Sequence, residues 1–170
     1  MNNELLMKSR HIRIVYLPPA TVASAHFVGP NPEMQANQAI DQFVKSTNLT
    51  DIKPDLRHYG FNRDVDGTHG YEVWVTIPED MEVPETLTKK TFKGGLYAAY
   101  MIPMNEFEEW NVLNAWLAEN PVYEMNNEGK GQDCMFGALE EHINYFNHVK
   151  LDNTEPDDMQ LDLLMPVREK

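Results

Sequence analysis

The chain has 170 residues, of which 27 are acidic and 14 basic, and a formal net charge of −13 at pH 7. Proteins bind DNA by neutralising its phosphates with Lys and Arg, so we expect no direct DNA binding. The single cysteine, Cys134, excludes an intramolecular disulfide and suits a reducing compartment. No apolar run approaches the ~20 residues of a membrane span, and no signal peptide opens the chain. We therefore expect a cytoplasmic protein without a membrane partner.

The first half of the chain alternates predicted strands with one long helix. Residues 11–16 alternate polar and apolar side chains and 21–28 continue an extended pattern, so both predict strands. Apolar residues at helical spacing predict a helix over residues 33–46. Asn31 is placed to cap this helix, with Pro32 at its first position.

Two further strands follow, at residues 57–62 and 71–77. Side chains in a strand point alternately to opposite faces, so the second strand has two distinct sets of residues. Val73, Val75 and Ile77 share one face, and Glu72, Trp74 and Thr76 share the other. A desolvated carboxylate and an indole would then stand side by side.

The second half repeats this plan. The patterns predict strands at 88–92, 96–102 and 159–167, and helices at 106–117 (capped by Asn105) and 138–146. We divide the chain into an N-terminal tail, 1–10, and one domain, 11–170, with repeats of about 11–86 and 87–170. The expected fold is α+β, with an antiparallel sheet, helices on one face and a ligand cleft where the repeats meet.

Four carboxylates are candidates for a functional site: Glu72, Glu140, Glu141 and Asp162. Glu140 is surrounded in sequence by apolar residues, where a carboxylate is costly unless it is paired or its pKa rises. Such a group attracts cations or acts as a general base. The alternative is a solvated carboxylate at the end of an element, which is the preferred interpretation for Glu141.

Aromatic residues are abundant, and their faces stack on flat ligands and attract cations. The candidates are Tyr59, Phe61, Tyr71, Trp74, Tyr97, Tyr100, Trp110, Trp116 and Tyr145. At helical spacing, Trp110 and Trp116 are more often core residues than ligand contacts. The six histidines lack metal-ligand spacing and Cys134 has no nearby histidine in the sequence, so no metal or cofactor is expected.

Eight segments occur in the order found in one known family. They are residues 12–19 (IRIVYLPP), 29–33 (GPNPE), 59–62 (YGFN), 71–75 (YEVWV), 95–100 (GLYAAY), 110–117 (WNVLNAWL), 139–144 (LEEHIN) and 161–167 (LDLLMPV). Through them the chain resembles the GyrI-like small-molecule-binding domain, the effector-binding domain of AraC-type and MerR-type regulators. The resemblance covers residues 10–168.

The resemblance implies tandem β-α-β-β units with pseudo-twofold symmetry and a cleft between them. The family's central glutamate corresponds to Glu140 and its helix aromatic to Trp110. The chain departs from the family at Asp162, where glutamate is frequent, and at His142, where tyrosine is common. The expected ligand-binding residues are Glu140, Trp110, Trp74, Glu72, Tyr100, Phe61, Tyr145 and Asp162.

The resemblance also implies a bacterial, multidrug-binding module linked to transcription regulation, with planar or cationic amphipathic ligands. In many relatives a DNA-reading segment precedes this domain, whereas few residues precede the first strand here. We therefore expect a stand-alone sensor or sequestering protein, with any regulator a separate partner. Two alternatives stay open: a hydrolase of reactive small molecules that uses Glu140, and an acidic, gyrase-inhibitor-like protein. The sequence predicts no oligomeric state.

Overall fold

The computed structural model describes residues 2–151 and 155–170. The helices are α1 (Asn3–Ser9), α2 (Pro32–Thr47), α3 (Leu49–Ile52), α4 (Trp110–Ala118) and α5 (Tyr145–Leu151). The strands are β1 (Arg13–Leu17), β2 (Ala20–Val28), β3 (His58–Asn62), β4 (Gly70–Ile77), β5 (Thr88–Phe92), β6 (Gly95–Pro103), β7 (Tyr123–Met125), β8 (Leu139–His142) and β9 (Gln160–Glu169). Short 3₁₀ segments occur at Phe107–Glu109, Gln132–Gly137 and Pro156–Asp158.

All these strands join one antiparallel sheet in the order β1-β6-β9-β8-β3-β4-β2-β5, and β7 pairs with β9. The centre of the sheet is the β3–β8 pair, where Gly60 lies opposite Glu140 and Tyr59 opposite Glu141. Strand β1 pairs with β6, and β5 pairs with β2. Strand β1 therefore joins the half of the sheet formed by the later strands β6, β9 and β8. Strand β5 joins the half formed by the earlier strands β3, β4 and β2. The predicted α+β class, antiparallel sheet and central seam are confirmed.

Helix α2 forms because its apolar residues recur at helical spacing and cover one half of the sheet. Ala36, Ile40 and Phe43 are buried against residues of β2 and β4, including Val73. Asn31 is the N-cap residue and Pro32 begins the helix, as predicted, but Asn31 has left-handed backbone dihedrals (φ 51°) and makes no side-chain cap bond. A capping side chain normally acts from an extended backbone, so the left-handed backbone of Asn31 does not favour a side-chain cap bond.

Helix α4 covers the other half of the sheet, with Val112 and Leu113 packed in the core formed by β6 and β9. It begins at Trp110, after a 3₁₀ turn, and Asn105 lies before that turn with a left-handed φ of 78°. Asn105 is therefore not its cap. The predicted tail contains α1, where Lys8 forms an ion pair of 2.6 Å with Glu109 beside α4.

Residues 138–146 were predicted to be helical, and this prediction is wrong. They contain strand β8, and α5 begins only at Tyr145. The backbone of β8 pairs with β3 on one side and β9 on the other, and Asn144 breaks the chain between strand and helix with a φ of 63°. Hydrogen bonding on both edges outweighs the local helical spacing of the apolar residues.

The two faces of the sheet bury different residue sets. The helix face, covered by α2 and α4, contains Val73, Val75 and Ile77. The opposite face contains Glu72 and Trp74, so the two sides predicted for β4 are confirmed. Within the described part of the chain, no helix has both the length and the apolar character that crossing a bilayer requires.

Candidate functional site

A cavity of about 880 Å³ lies on the helix face, over the β3–β8 seam. The seam is left open because α2 covers one half of the sheet and α4 the other. Asn62, His58, Glu140 and His142 line the cavity from the two central strands. The remaining lining residues come from the helices, from strands β4 and β9 and from connecting segments: Glu33, Asn37, Asp41, Lys45, His69, Tyr71, Met104, Asn105, Phe107, Trp110, Met135, Tyr145, His148, Val149, Met159 and Leu161.

Glu140 is the buried carboxylate of this cavity, with 7% of its surface exposed. The hydroxyl of Tyr71 donates a hydrogen bond to its Oε1 over 3.1 Å. Among the residues that the structure describes, no Lys or Arg forms an ion pair with it. Burial raises the pKa of Glu140 to about 7. When ionised, this group is therefore a desolvated negative charge held by one neutral donor.

Gly60 creates the space for that donor. A Cβ atom at position 60 would lie 2.3 Å from the Tyr71 hydroxyl oxygen, far inside van der Waals contact. Gly60 also lies directly opposite Glu140 across the sheet. Burial holds the pKa of Tyr71 well above its usual value, so its hydroxyl stays a neutral donor. The missing side chain of Gly60 thus allows Tyr71 to reach the carboxylate.

Three histidines line the cavity together with Glu140. His58 and His142 are in edge contact, with ring centroids 5.3 Å apart, and His142 Nε2 lies 2.7 Å from His148 Nδ1. The Tyr145 ring packs 4.5 Å from His58, and its hydroxyl donates to Asp41 Oδ1 over 2.7 Å. This set of His58, His142 and His148 is called the imidazole cluster below.

Charged groups mark the rim of the cavity near the start of α2. His69 Nε2 lies 2.5 Å from Glu33 Oε1, and its Nδ1 lies 3.1 Å from Asp64 Oδ1. The bond with Glu33 raises the pKa of His69. The charge of Glu33 also contributes to the raised pKa of Glu140, after burial. The rim therefore adds negative potential to the cavity rather than neutralising it.

Three of the predicted site residues meet in this cavity: Glu140, Trp110 and Tyr145. Tyr100 is on the helix face but does not line the cavity, because it is buried beneath α4 and its hydroxyl donates to Glu109 over 3.1 Å. The aromatic Phe107, which no sequence argument selected, adds an exposed ring to the lining.

The prediction that Glu72, Trp74, Phe61 and Asp162 share the cleft with Glu140 is wrong. Glu72 is paired across the sheet with Phe61, and both belong to the opposite face. Asp162 is paired with Glu141, one residue out of phase with Glu140. Because side chains alternate along each strand, a shift of one residue moves a side chain to the other face.

Cations form ion pairs with the carboxylates of the opposite face. Glu72 forms ion pairs with Arg63 (2.5 Å) and Lys90 (2.8 Å), and accepts a further bond from Ser24 Oγ at 2.9 Å. Asp162 pairs with Arg13 at 2.5 Å through Oδ2, whereas its Oδ1 is buried without a hydrogen-bond partner among the described residues, and burial raises the pKa of Asp162. These residues support the sheet and are closed to a ligand on the helix face.

Sequence reasoning did not select His58 or Asn37 for the site. One signal was available for His58, since it lies two residues before Gly60 on the same strand and must share its face. The position of Asn37 depends on how α2 packs, which periodicity alone does not fix. Over residues 2–151 and 155–170, no group of three or more His, Cys, Asp or Glu side chains is arranged to hold a metal ion.

The sequence matches a family model described as integron-associated effector binding protein (Cass2) over residues 13–167. The comparison with curated proteins gives no match.

Solved structures share the fold at low identity. A DNA complex of EcmrR has a TM-score of 0.70 and 13% identity; the alignment covers 99% of this chain and 63% of EcmrR. The EcmrR C-terminal domain has a TM-score of 0.64 and 9% identity, with 94% and 98% covered. A hydrolase from Listeria innocua has a TM-score of 0.62 and 11% identity, with 98% and 96% covered. At these identities the likeness establishes the effector-binding fold alone.

Proposed function

Because the chain belongs to the integron-associated effector-binding family, whose members bind small molecules, we propose that its cavity binds aromatic organic cations through Glu140. The observation that carries the proposal is the unmatched charge of this buried carboxylate. Its one described donor is the neutral Tyr71 hydroxyl. A cation placed beside Glu140 would restore the electrostatic balance that the protein itself leaves incomplete.

The apolar part of the cavity supports an aromatic ligand. Trp110, Phe107 and Tyr145 provide rings, and Met104 and Met159 provide deformable thioethers. A volume of about 880 Å³ suits a drug-sized molecule. A flat cation would gain both from ring stacking and from burial of its apolar surface.

We propose that this binding serves sensing or sequestration of the ligand. A sensor needs a site that binds without consuming its ligand, and the cavity offers contacts around one carboxylate. The net charge of −13 supports partners other than nucleic acid. A regulator that responds to the loaded protein would be a separate partner.

Hydrolysis is the second candidate, and the pKa of Glu140, raised by burial to about 7, favours it. A carboxylate of that pKa is well matched to general-base chemistry at neutral pH. Glu140 would take a proton from water as the water oxygen bonds to an ester carbonyl carbon. The proton would then pass to the departing alkoxide as the ester C–O bond breaks, which regenerates the carboxylate.

Dye binding tests the first proposal. Acridine orange, a planar cation, is titrated by fluorescence anisotropy against wild type, Glu140→Gln and the matched control Glu141→Gln, and pyrene serves as a neutral aromatic. Glu141 lies on the same strand but pairs with Arg57 at 2.6 Å on the opposite face. Loss of the charge-assisted contact should weaken dye binding by Glu140→Gln about 10-fold or more, with less than about 2-fold change in the control.

Equal dye affinities of wild type and Glu140→Gln would contradict the proposal, as would tighter binding of pyrene than of the cation. Incubation with an activated aryl ester separates the second candidate. Turnover that disappears in Glu140→Gln but persists in Glu141→Gln would establish the hydrolase. Saturable dye binding without ester turnover would favour the sensor.

A further inference from the structure

The rim of the cavity near the start of α2 stays negative even when its histidine is charged. His69 contacts Glu33 through Nε2 at 2.5 Å and Asp64 through Nδ1 at 3.1 Å. A neutral imidazole donates from one nitrogen only, so both bonds form together only in the imidazolium. Two carboxylates around one imidazolium still leave a single negative charge. Glu33, Asp64 and His69 are called the rim set below.

Glu33 presents this charge to the cavity. It lines the cavity, and its side chain is 50% exposed, so a bound molecule can reach it. Its Oε1 is bonded to His69, and no residue that the structure describes donates to its Oε2. Because a half-exposed ion pair contributes little to stability, a ligand cation can contact Glu33 beside His69 or in its place.

The rim set lies close to Glu140. Tyr71 donates its hydroxyl to Glu140 over 3.1 Å, and His69 lies two residues earlier, a separation of roughly 7 Å along an extended chain. Both His69 and Tyr71 line the cavity. After burial, the charge of Glu33 contributes to the raised pKa values of Glu140 and Tyr71, so its field reaches both. One ligand can therefore contact both carboxylates.

The protein supplies little positive charge to balance these two points. Burial lowers the pKa of His58 to about 3 and that of His142 to about 4, so these members of the imidazole cluster are neutral at pH 7. Over residues 2–151 and 155–170, no Lys or Arg forms an ion pair with Glu140 or Glu33.

The cavity is also long enough for two charged groups. Glu33, Asn37, Asp41 and Lys45 recur at every fourth residue of α2, and all of them line the cavity. At the rise of an α-helix this wall is on the order of 18 Å long. Its far end contains one acid and one base, Asp41 and Lys45. The negative points that face a ligand are therefore Glu140 and the rim set.

We propose that the preferred ligand is an organic dication, with one positive charge beside Glu140 and the second beside Glu33 at the rim. The inference rests on the proposed function and names the ligand class of the same cavity. A monocation held by Glu140 leaves the charge of the rim set unbalanced, whereas a dication balances both. The His69 imidazolium is itself a planar cation held by Glu33, which shows the chemistry that the rim accepts.

Two phenanthridinium dyes test the second charge. Ethidium carries one positive charge on its aromatic ring system. Propidium has the same ring system, and its N-alkyl chain carries a quaternary ammonium as a second charge. Fluorescence titrations at about pH 7 use about 0.15 M salt, where the Debye length of about 8 Å limits attraction by distant carboxylates. Wild type should bind propidium about 10-fold more tightly than ethidium.

Three variants locate the second contact. Glu33→Gln keeps the shape of the side chain but removes its charge, so the preference for propidium should fall to below about 2-fold. Glu140→Gln should weaken the binding of both dyes and leave their ratio unchanged. His69→Gln removes the cation of the rim set, so the preference should grow about 3-fold.

The matched control is Glu85→Gln, which removes one exposed carboxylate outside the cavity lining. It lowers the net negative charge by the same amount as Glu33→Gln, and the dye ratio should stay within about 2-fold of wild type. A fall in the ratio equal to that of Glu33→Gln would show general attraction of dications to an acidic chain, and would overturn the inference.

The remaining outcomes separate the two proposals. If neither dye binds, the proposed function fails. If wild type binds both dyes equally and Glu140→Gln weakens both, the proposed function stands and the second contact is wrong. A preference for propidium that persists in Glu33→Gln, or that disappears in His69→Gln, would equally exclude Glu33 as the second contact.

Discussion

Two buried glutamates, Glu140 and Glu72, lie on opposite faces of the same sheet and have opposite electrostatic surroundings. Glu72 has no exposed surface and meets Arg63, Lys90, Ser24 and the Trp74 indole. Although burial opposes ionisation, hydrogen bonds from Lys90, Arg63 and Trp74 lower its pKa. Glu140 is comparably buried, but among the described residues its side chain accepts a hydrogen bond only from the Tyr71 hydroxyl. Burial therefore raises the pKa of Glu140.

The difference shows that burial alone does not identify a functional carboxylate. A buried charge surrounded by cations is a structural element, because its charge is already balanced. A buried charge that faces a cavity and has no cationic partner is destabilised, and a cationic ligand can remove this destabilisation. On this criterion we propose that Glu72 stabilises the sheet and that Glu140 binds the ligand.

Replacement of Glu72 should have the largest effect on stability. Glu72→Gln leaves Arg63 and Lys90 without their anion, and breaking such a pair costs about 3 kcal/mol. Urea unfolding at about pH 8 measures the loss, and the affinity for acridine orange should change less than about 2-fold. A stable variant with weakened dye binding would reverse the roles assigned to the two faces.

Glu140→Gln should instead stabilise the protein at neutral and higher pH. The pKa of Glu140 is raised from 4.5 to about 7, so the folded state binds the proton more tightly than the unfolded state. The cost of ionising buried Glu140 lowers the free energy of unfolding of wild type. This cost is absent below about pH 4, grows as the pH rises from 4.5 to about 7, and is constant above that. The variant should gain about 3 kcal/mol over wild type at about pH 8 and little at pH 4.

Urea unfolding of both proteins across this pH range checks that prediction. Glu141→Gln serves as the control, because Glu141 pairs with Arg57. A stability difference between Glu140→Gln and wild type that does not grow with pH would mean that Glu140 is solvated or paired in solution.

The smallest effect is expected at Gly60. In Gly60→Ala the added methyl group would collide with the Tyr71 hydroxyl and displace it from Glu140. Affinity for acridine orange should fall about 10-fold, which is the low end of what loss of one hydrogen bond to a charged group predicts. Tyr71→Phe should have a similar effect, and the double variant should be no weaker than either single variant. Additive losses in the double variant would show that Gly60 acts independently of Tyr71.

The architecture was largely predictable from the sequence. Period-two alternation identified β4 and its two faces, and helical spacing identified α2, because both patterns report the same burial that stabilises the element. Strand β8 was mistaken for a helix, since a short apolar segment satisfies either period until its pairing partners are known. The helix caps were predicted only in part: Asn31 is the N-cap residue of α2 but makes no side-chain cap bond, and Asn105 is not the cap of α4. Both residues adopt left-handed backbone conformations.

The candidate site was predictable only in part. Glu140 and Trp110 were selected through their family positions, and Tyr145 through its aromatic side chain. Glu72, Trp74, Phe61 and Asp162 were grouped with them because of their side-chain types. All four lie on the face of the sheet opposite the cavity. Strand register decides which side chains share a face of the sheet, and register depends on residues that are distant in sequence.

The sequence by itself determined the acidic character, the α+β class and the resemblance to effector-binding domains. Composition and local periodicity depend only on the residue types and on neighbours in the sequence. Only the tertiary structure decided which carboxylate lacks a cation and which histidine contacts two carboxylates. Those properties depend on neighbours such as Arg63, Lys90 and Glu33, which meet their partners through sheet pairing and helix packing across the fold.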